Sequence, residues 1–369
     1  MPLDARWRAQ AAGAQEAVLP SGRVVVSCSA PYGVGGLGRH LQEIVEALDR
    51  RGAQWVVICG SPSEEPAPRA RRRSLVPELA AALAPLGRFS AAWRIWQASV
   101  SFDARAARTL PQADHLIGFN GTSIAQFAAA RRQISGSVSL MSANSHFRRV
   151  VRQHALAQRQ YPLERPWPAR LVGRNLREYA RADRIYVASN YVRESFLEEG
   201  FAEETISTFP LTPATRYRPQ ERLRDADTFD IVYVGSLTVH KGVPLLLDAV
   251  RRLRYPDLRV VLVGGWKTRG MRRFLQQACA EDKRIRIAPG DPLAHLLRAR
   301  LCVHAAYEDG FGYAPAEALA CGVPVIVSED TGMKELIEPG RSGLILPTGD
   351  LSSLTEAIEA AYRRESMGD

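Results

Sequence analysis

Three acids and two glycines stand within eleven residues in the run Tyr307-Glu308-Asp309-Gly310-Phe311-Gly312-Tyr313-Ala314-Pro315-Ala316-Glu317. An apolar segment, Leu301–Ala305, precedes it and predicts a strand; Glu317 opens a short helix that Gly322 and Pro324 should stop. Pro315 suits the first helical position, where no backbone N–H is needed, and Ala314 before it has no side-chain oxygen to cap the first turn. Amides left in this way, together with the positive end of the helix dipole, can hold an anion such as a diphosphate. The Gly310-Phe311-Gly312 turn would let the backbone come close to it, and Glu317 could accept hydrogen bonds from ribose hydroxyls. The plainer reading makes Glu317 a first-turn acid that suits the macrodipole and Asp309 a turn residue.

A second anion-binding loop is readable upstream. Gly235-Ser236-Leu237-Thr238-Val239-His240-Lys241-Gly242 follows the strand segment Ile231–Val234, and Lys241, one of four lysines in a chain that otherwise uses Arg, could neutralise a leaving diphosphate. Near the start, Gly33-Val34-Gly35-Gly36-Leu37-Gly38 fits G-x-G-x-x-G between a strand and a helix. Four residues separate it from the strand, and the second strand ends in Cys59-Gly60-Ser61 without an acid for a ribose, so a dinucleotide fold is poorly supported. The amides of Gly35 and Gly36 can still approach a phosphate or a sugar. Ser145-His146 follows the strand ending at Met141; His146 could bond a sugar hydroxyl, or simply begin a helix capped by Ser145. His40, His115, His154, His295 and His304 lack metal-ligand spacing and read as structural, and Asp225-Ala226-Asp227 has no strand before it and reads as a polar turn rather than a metal motif. The stretch Arg88–Leu110 puts Phe89, Trp93, Trp96 and Val100 on one helical face, which reads as core-facing, with a membrane surface as the alternative.

These loops need strands to carry them. Apolar segments at Arg23–Cys28, Gln54–Cys59, His115–Gly118, Ser137–Met141 and Arg184–Ala188 alternate with helical stretches, the rhythm of a parallel sheet covered on both faces. Residues 209–230 are rich in proline and charge, and the rhythm restarts at Phe229–Val234, Arg259–Val263, Arg284–Ala288, Leu301–Ala305, Pro324–Val327 and Gly343–Leu346, with a last helix near Leu351–Arg364. The expected division is a first α/β domain at 1–212, a linker at 213–228, and a second at 229–369 whose last helix packs back on the first. Residues 61–73 read as a mobile loop.

The 369 residues, 46% of them apolar, suit two cores. Five scattered cysteines without a C-x-x-C pair read as buried thiols, and Met1–Pro20 does not resemble a signal peptide, which predicts a cytoplasmic protein. The net charge of +10 is unevenly placed: residues 1–217 hold 28 Arg against 18 acids, and the remainder is balanced. That excess suits either a solvated arginine-rich surface or contact with an anionic acceptor or membrane. Nucleic acid fits less well, because no recognition helix, finger or stacking sheet accompanies the charge.

Taken together the motifs resemble the retaining glycosyltransferases of family 4, bacterial type, most sharply from Phe229 to Asp350. The family's E-x7-E spacing falls here on Asp309 and Glu317, its lysine loop on Lys241-Gly242, and its glycine loop on Gly35 and Gly36; Ser236 stands where an arginine is usual. The resemblance implies the GT-B fold, two Rossmann-like parallel-sheet domains facing across a cleft. It also implies transfer of a sugar, a hexose among the common cases, from a nucleotide diphosphate to a glycan, lipid-linked glycan or small-molecule hydroxyl, with retention and without a metal or other cofactor. In that scheme Asp309 contacts sugar hydroxyls, Glu317 the ribose, Lys241 and Ser236 the diphosphate region, and His146 the sugar. A nucleotide-sugar epimerase and a nonenzymatic sugar-nucleotide-binding protein are the alternatives.

Overall fold

The computed structural model describes residues 5–60, 73–74, 91–225, 227–288 and 290–366. The chain forms two compact units. One comprises Ala9–Arg148 and Trp167–Leu211; the other comprises Met1–Arg8, Arg149–Pro166 and Thr212–Asp369. We call them the N-terminal and C-terminal units.

The N-terminal unit is built on a parallel sheet of β1 (Arg23–Cys28), β2 (Gln54–Cys59), β3 (Arg73–Ser74), β4 (His115–Phe119), β5 (Val138–Ser142), β6 (Arg184–Val187) and β7 (Ile206–Thr208). They lie in the order β3-β2-β1-β4-β5-β6-β7, with Val25 paired to Val56 on one side and Leu116 on the other. Helices α1 (Ala5–Val18), α2 (Gly35–Arg50), α3 (Ala91–Arg108), α4 (Ile124–Ala130), α6 (Ala169–Tyr179) and α7 (Asn190–Leu197) accompany it, and α5 (Phe147–Gln160) begins there and passes into the C-terminal unit. Both faces of such a sheet are covered, which is why Val24, Val25 and Val26 are all buried instead of alternating. Of the expected stripe Trp96 and Val100 are half-buried on α3, which buries Phe102 and Ala106 instead and leaves Ile95 exposed; Phe89, the Trp93 side chain, and residues 61–72 of the expected mobile loop lie outside the described residues.

The C-terminal unit carries β8 (Phe229–Val234), β9 (Leu258–Val263), β10 (Ile285–Ile287), β11 (Leu301–His304), β12 (Val325–Ser328) and β13 (Gly343–Leu346), parallel and in the order β10-β9-β8-β11-β12-β13. Its helices are α8 (Val243–Arg252), α9 (Arg269–Glu281), α10 (Pro292–Leu296), α11 (Tyr313–Ala320) and α12 (Leu351–Ser366). Among the described residues no helix is long and apolar enough to cross a membrane.

Three boundaries differ from the sequence reading. Arg149–Pro166 groups with the C-terminal unit, because Ala157 of α5 lies in that unit's core and Gln153 donates to Asp330 at 2.9 Å. The expected linker is held there too: Tyr217 is buried and the Leu223 amide donates to the Leu297 carbonyl at 3.0 Å. The last helix, α12, packs within the C-terminal unit, where Leu354, Ala357 and Ile358 enter the core and Tyr362 stacks on Tyr255.

Candidate active site

Each sheet has one strand whose neighbours are reached by chain running in opposite directions: β1, flanked by β2 and β4, and β8, flanked by β9 and β11. In open parallel sheets the crevice beyond the carboxyl ends of the strands at such a point is where ligands bind. In the C-terminal unit the two loops at that point are Gly235–Gly242 and Ala305–Gly312, the same two that the sequence singles out.

Gly242 joins them. It caps the N-terminus of α8 at φ +75°, and a Cβ there would lie 1.8 Å from the Ala305 carbonyl oxygen, so only glycine allows this approach. The Tyr307 amide donates to the His240 carbonyl at 2.8 Å and completes the junction. Lys241 is thereby aimed along the β11 loop: Nζ donates to the Glu308 carbonyl at 3.0 Å and to Asp309 Oδ2 at 2.9 Å. Asp309 is fixed through its backbone, its amide donating to the Asp330 carbonyl and its carbonyl accepting from Gly332. Glu164 braces the lysine loop by accepting from the Val239 amide at 2.9 Å and the Thr268 hydroxyl at 3.0 Å.

Charge is arranged strongly here. Burial opposes ionisation of Asp309, yet the Lys241 ammonium and a hydrogen bond from His304 outweigh it and hold the carboxyl well below its ordinary range. His154 and His240 stack with centroids 4.1 Å apart. Burial, followed for His154 by the Lys241 charge, pushes that imidazole down to about 3; burial and then His154 and Lys241 push His240 well down also. Lys241 therefore sits beside two neutral rings, and its ammonium is the cation of this turn.

α11 begins at Tyr313, two residues before the predicted start, so Pro315 is its third residue and Glu317 its fifth. The reason is Gly312, which takes φ +89° as N-cap under Thr331 and Met333 and offers no side-chain cap, the role expected of Ala314. The helix stops at Gly322 as predicted. Glu317 and Glu308 are buried, as are Gly310, Phe311 and Gly312, while Ser236 is half-buried with its carbonyl accepting from the Tyr233 hydroxyl at 2.9 Å. Lys241 and Asp309 thus meet directly, and Ser236, Gly310, Phe311, Gly312 and Glu317 belong to the same two loops and the helix they start.

His304, which the sequence reads as structural, joins this site. Its Nε2 lies 2.9 Å from Asp309 Oδ2. The one available signal was its place as the last residue of β11, at the carboxyl end of a strand beside the switch point.

In the N-terminal unit Gly35 and Gly36 open α2, after Val34, whose side chain makes no cap. His146 is placed differently from the sugar-facing position expected. It is 3% exposed, packed on the rings of Tyr179, Phe196 and Phe201 at 4.7, 5.1 and 5.7 Å. The other loop at this switch point, Asn120–Ser123, is gripped by groups that the sequence left unnoticed. Glu178, fully buried, accepts from the Gly121 amide, from Ser123 N at 2.7 Å and from Asn120 Nδ2 at 2.9 Å. Arg174 donates to the Gly121 carbonyl at 2.7 Å and to Asp103, which in turn accepts from the amides of Ala125 and Gln126. Burial raises the Glu178 carboxyl to about 7 against those bonds. The five cysteines are free, and Asp225 accepts from the Asp227 amide at 3.0 Å, a polar turn as read; Ala226 between them lies outside the described residues.

A pair of parallel α/β sheets, one with an ammonium and a carboxylate at its switch point, defines the GT-B class, and comparison agrees. Residues 34–212 match the family described as Glycosyltransferase Family 4, and residues 216–368 match Glycosyl transferases group 1. The chain belongs to this family. Sucrose-phosphate synthase from Thermosynechococcus elongatus is 19% identical with a TM-score of 0.70, covering 93% of this chain and 90% of that one. HepE from Anabaena, solved with UDP-glucose, is 16% identical with a TM-score of 0.63, at 93% and 90% coverage. A D-inositol 3-phosphate glycosyltransferase of Pseudarthrobacter chlorophenolicus is 30% identical over 168 residues, 42% of this chain. The chain aligns with 40% of that relative's length.

Proposed function

We propose that this protein is a retaining, metal-independent glycosyltransferase that moves a sugar from a nucleotide diphosphate to the hydroxyl of a glycan, a lipid-linked glycan or a small molecule. The observation that carries the reading is the Lys241–Asp309 pair at the switch point of the C-terminal sheet. An ammonium has three N–H donors, and two are used on Asp309 and Glu308, so the third can meet a diphosphate oxygen without breaking the loop.

In the reaction the anomeric C–O bond to the diphosphate breaks and a bond to the acceptor oxygen forms on the same face. The acceptor's proton passes to a departing phosphate oxygen. Lys241 opposes the charge that develops on that phosphate, and because it is already oriented by the fold, little reorganisation is needed at the moment of transfer. Both donors on Asp309 reach Oδ2, which leaves Oδ1 to accept from sugar hydroxyls. Glu317 serves the ribose, Gly310–Gly312 and Ser236 line the diphosphate approach, and Gly35 and Gly36 present amides to phosphate or sugar. With the leaving charge met by a lysine, no divalent ion is required. The basic excess of residues 1–217 supports an anionic acceptor or an anionic membrane surface as the partner on that side.

HepE, similar in fold, was solved with UDP-glucose, so UDP-sugars head the panel to test, followed by ADP- and GDP-sugars. A donor at about 100 times its dissociation constant should stabilise the protein by roughly 2.7 kcal/mol in thermal unfolding. Transfer should persist in excess chelator, with the anomeric configuration kept by NMR. A panel without stabilisation, an inverted product, or activity abolished by chelator and restored by Mg²⁺ would each refute the corresponding part.

A further inference from the structure

His304 is 4% exposed, and its ring lies nearly parallel to Tyr233, with centroids 6.0 Å apart and an interplanar angle of 10°. Asp309 is ionised and therefore accepts only, so His304 Nε2 must be the donor in the 2.9 Å bond to Oδ2. Among the described residues Nδ1 has no hydrogen-bond partner. A buried ring nitrogen without a partner costs free energy, and a leucine or phenylalanine would fill the place without that cost. What the imidazole gives in return is geometry. Two donors, one from β11 and one from the loop after β8, meet on a single oxygen of Asp309. A carboxylate gripped so cannot turn about its Cβ–Cγ bond, and Oδ1 is held in one direction. Lys241 alone, on a flexible stem with three rotatable donors, would follow the carboxylate as it turned.

We infer that His304 is a positioning residue that fixes Asp309 for contact with the donor's sugar, so that the site tells a nucleotide sugar from the bare nucleoside diphosphate. The inference rests on the transferase reading above. It divides the labour in the site: Lys241 answers for the diphosphate, and the His304–Asp309 pair for the sugar.

The test compares His304→Leu and His304→Gln with the wild type in binding two probes. These are UDP-glucose, or whichever of ADP- and GDP-glucose stabilises the wild type more, and the nucleoside diphosphate with the same base. Leucine cannot donate, so affinity for the nucleotide sugar should fall about tenfold or more, the scale of one charge-assisted hydrogen bond, while affinity for the diphosphate stays within about twofold. Glutamine, whose amide nitrogen reaches the place of Nε2, should recover most of the loss. A residue that merely packed would weaken both probes together or neither, and either result would overturn the inference, as would failure of glutamine to recover. Should the leucine variant not fold, His304→Asn takes its place: its amide stops short of Asp309, and it should lose sugar recognition where glutamine keeps it. A wild-type chain that binds none of the nucleotide sugars would bring down the transferase reading itself; an unchanged ratio in the variants removes only the role of His304.

Discussion

Substituting methionine for Lys241 keeps most of the side-chain stem and removes the charge, and the structure sets both the size and the pH dependence of the result. In the native chain burial works against the Asp309 carboxylate, and the Lys241 charge and His304 bond reverse that balance. A carboxyl whose pKa is lower folded than unfolded contributes stability that is present above the unfolded value, 3.8 here, and lost as pH falls through the folded one. Lys241→Met should therefore be less stable than wild type at pH 7, and the gap should close as pH falls below about 4, where Asp309 protonates in the variant and in both unfolded chains. Breaking a fully buried pair costs about 3–5 kcal/mol. The two side chains here are 18% and 21% exposed, and water relieves part of that penalty. About 2–3 kcal/mol remains, or roughly 4–12 °C in Tm for a unit of this size. Turnover should fall about 10²- to 10³-fold, the scale for losing one preorganised charge at a leaving group. Thermal unfolding by circular dichroism at pH 7 and at acid pH, with steady-state transfer at pH 7, measures both. A stability loss that is the same at every pH would refute the electrostatic account of the pair, and near-wild-type turnover would refute the placement of Lys241 at the departing phosphate.

Gly242→Ala should cost more than about 3 kcal/mol, because the left-handed backbone alone costs about 1–2 kcal/mol and the new Cβ meets the Ala305 carbonyl at 1.8 Å. Gly265→Ala, with nothing within 4 Å of its Cβ, should stay within about 1 kcal/mol; urea unfolding of the two variants decides, and equal losses would contradict the close approach. Burial raises Glu178 from 4.5 to about 7, so its contribution to stability is present below the unfolded value and is lost as pH rises toward 7. Glu178→Gln cannot titrate and should remove that decline, worth about 3 kcal/mol between the two values, from urea unfolding of the N-terminal unit; parallel pH profiles for the two proteins would show that the carboxyl does not titrate there.

Much of this fold was legible because a strand buried on both faces is a continuous apolar run with a turn at its carboxyl end. Arg23–Cys28, Gln54–Cys59 and Phe229–Val234 have the bounds that the sequence predicts, as does Gly343–Leu346, an edge strand that exposes Leu344 and Ile345. Ile206–Thr208 escaped because three residues, two of them polar, carry no periodicity. The split of the chain was legible only in part: an amphipathic stretch such as α5 announces an apolar face, not which core receives it. The site divides in the same way. Lys241 and Asp309 could be found because each lies in a loop set by glycines and by a strand just before it. His304 could not, because its tie to Asp309 depends on how five residues of loop turn back on the strand end. His146 shows the opposite failure, a polar residue in a suitable place along the chain whose surroundings are made by Tyr179, Phe196 and Phe201, far away in sequence.

The two units apply one topological device to different chemistry. Each leading strand, β1 or β8, ends at a glycine-containing loop that starts a helix, and each faces a second loop across the point where strand order reverses. In the C-terminal unit the charged groups Lys241 and Asp309 stay partly exposed; under the transferase reading Lys241 meets the diphosphate, the constant feature of the reaction, and Asp309 the sugar. In the N-terminal unit the charged groups Asp103, Arg174 and Glu178 are turned inward, where they hold the Asn120–Ser123 loop through its own amides and carbonyl. The loop and first turn of α2 at the same point expose Val34 and Leu37. Under the transferase reading this separation has a physical advantage: the acceptor side can change its exposed residues without disturbing the field at the leaving group, since the charges that shape the acceptor loop are buried and already paired.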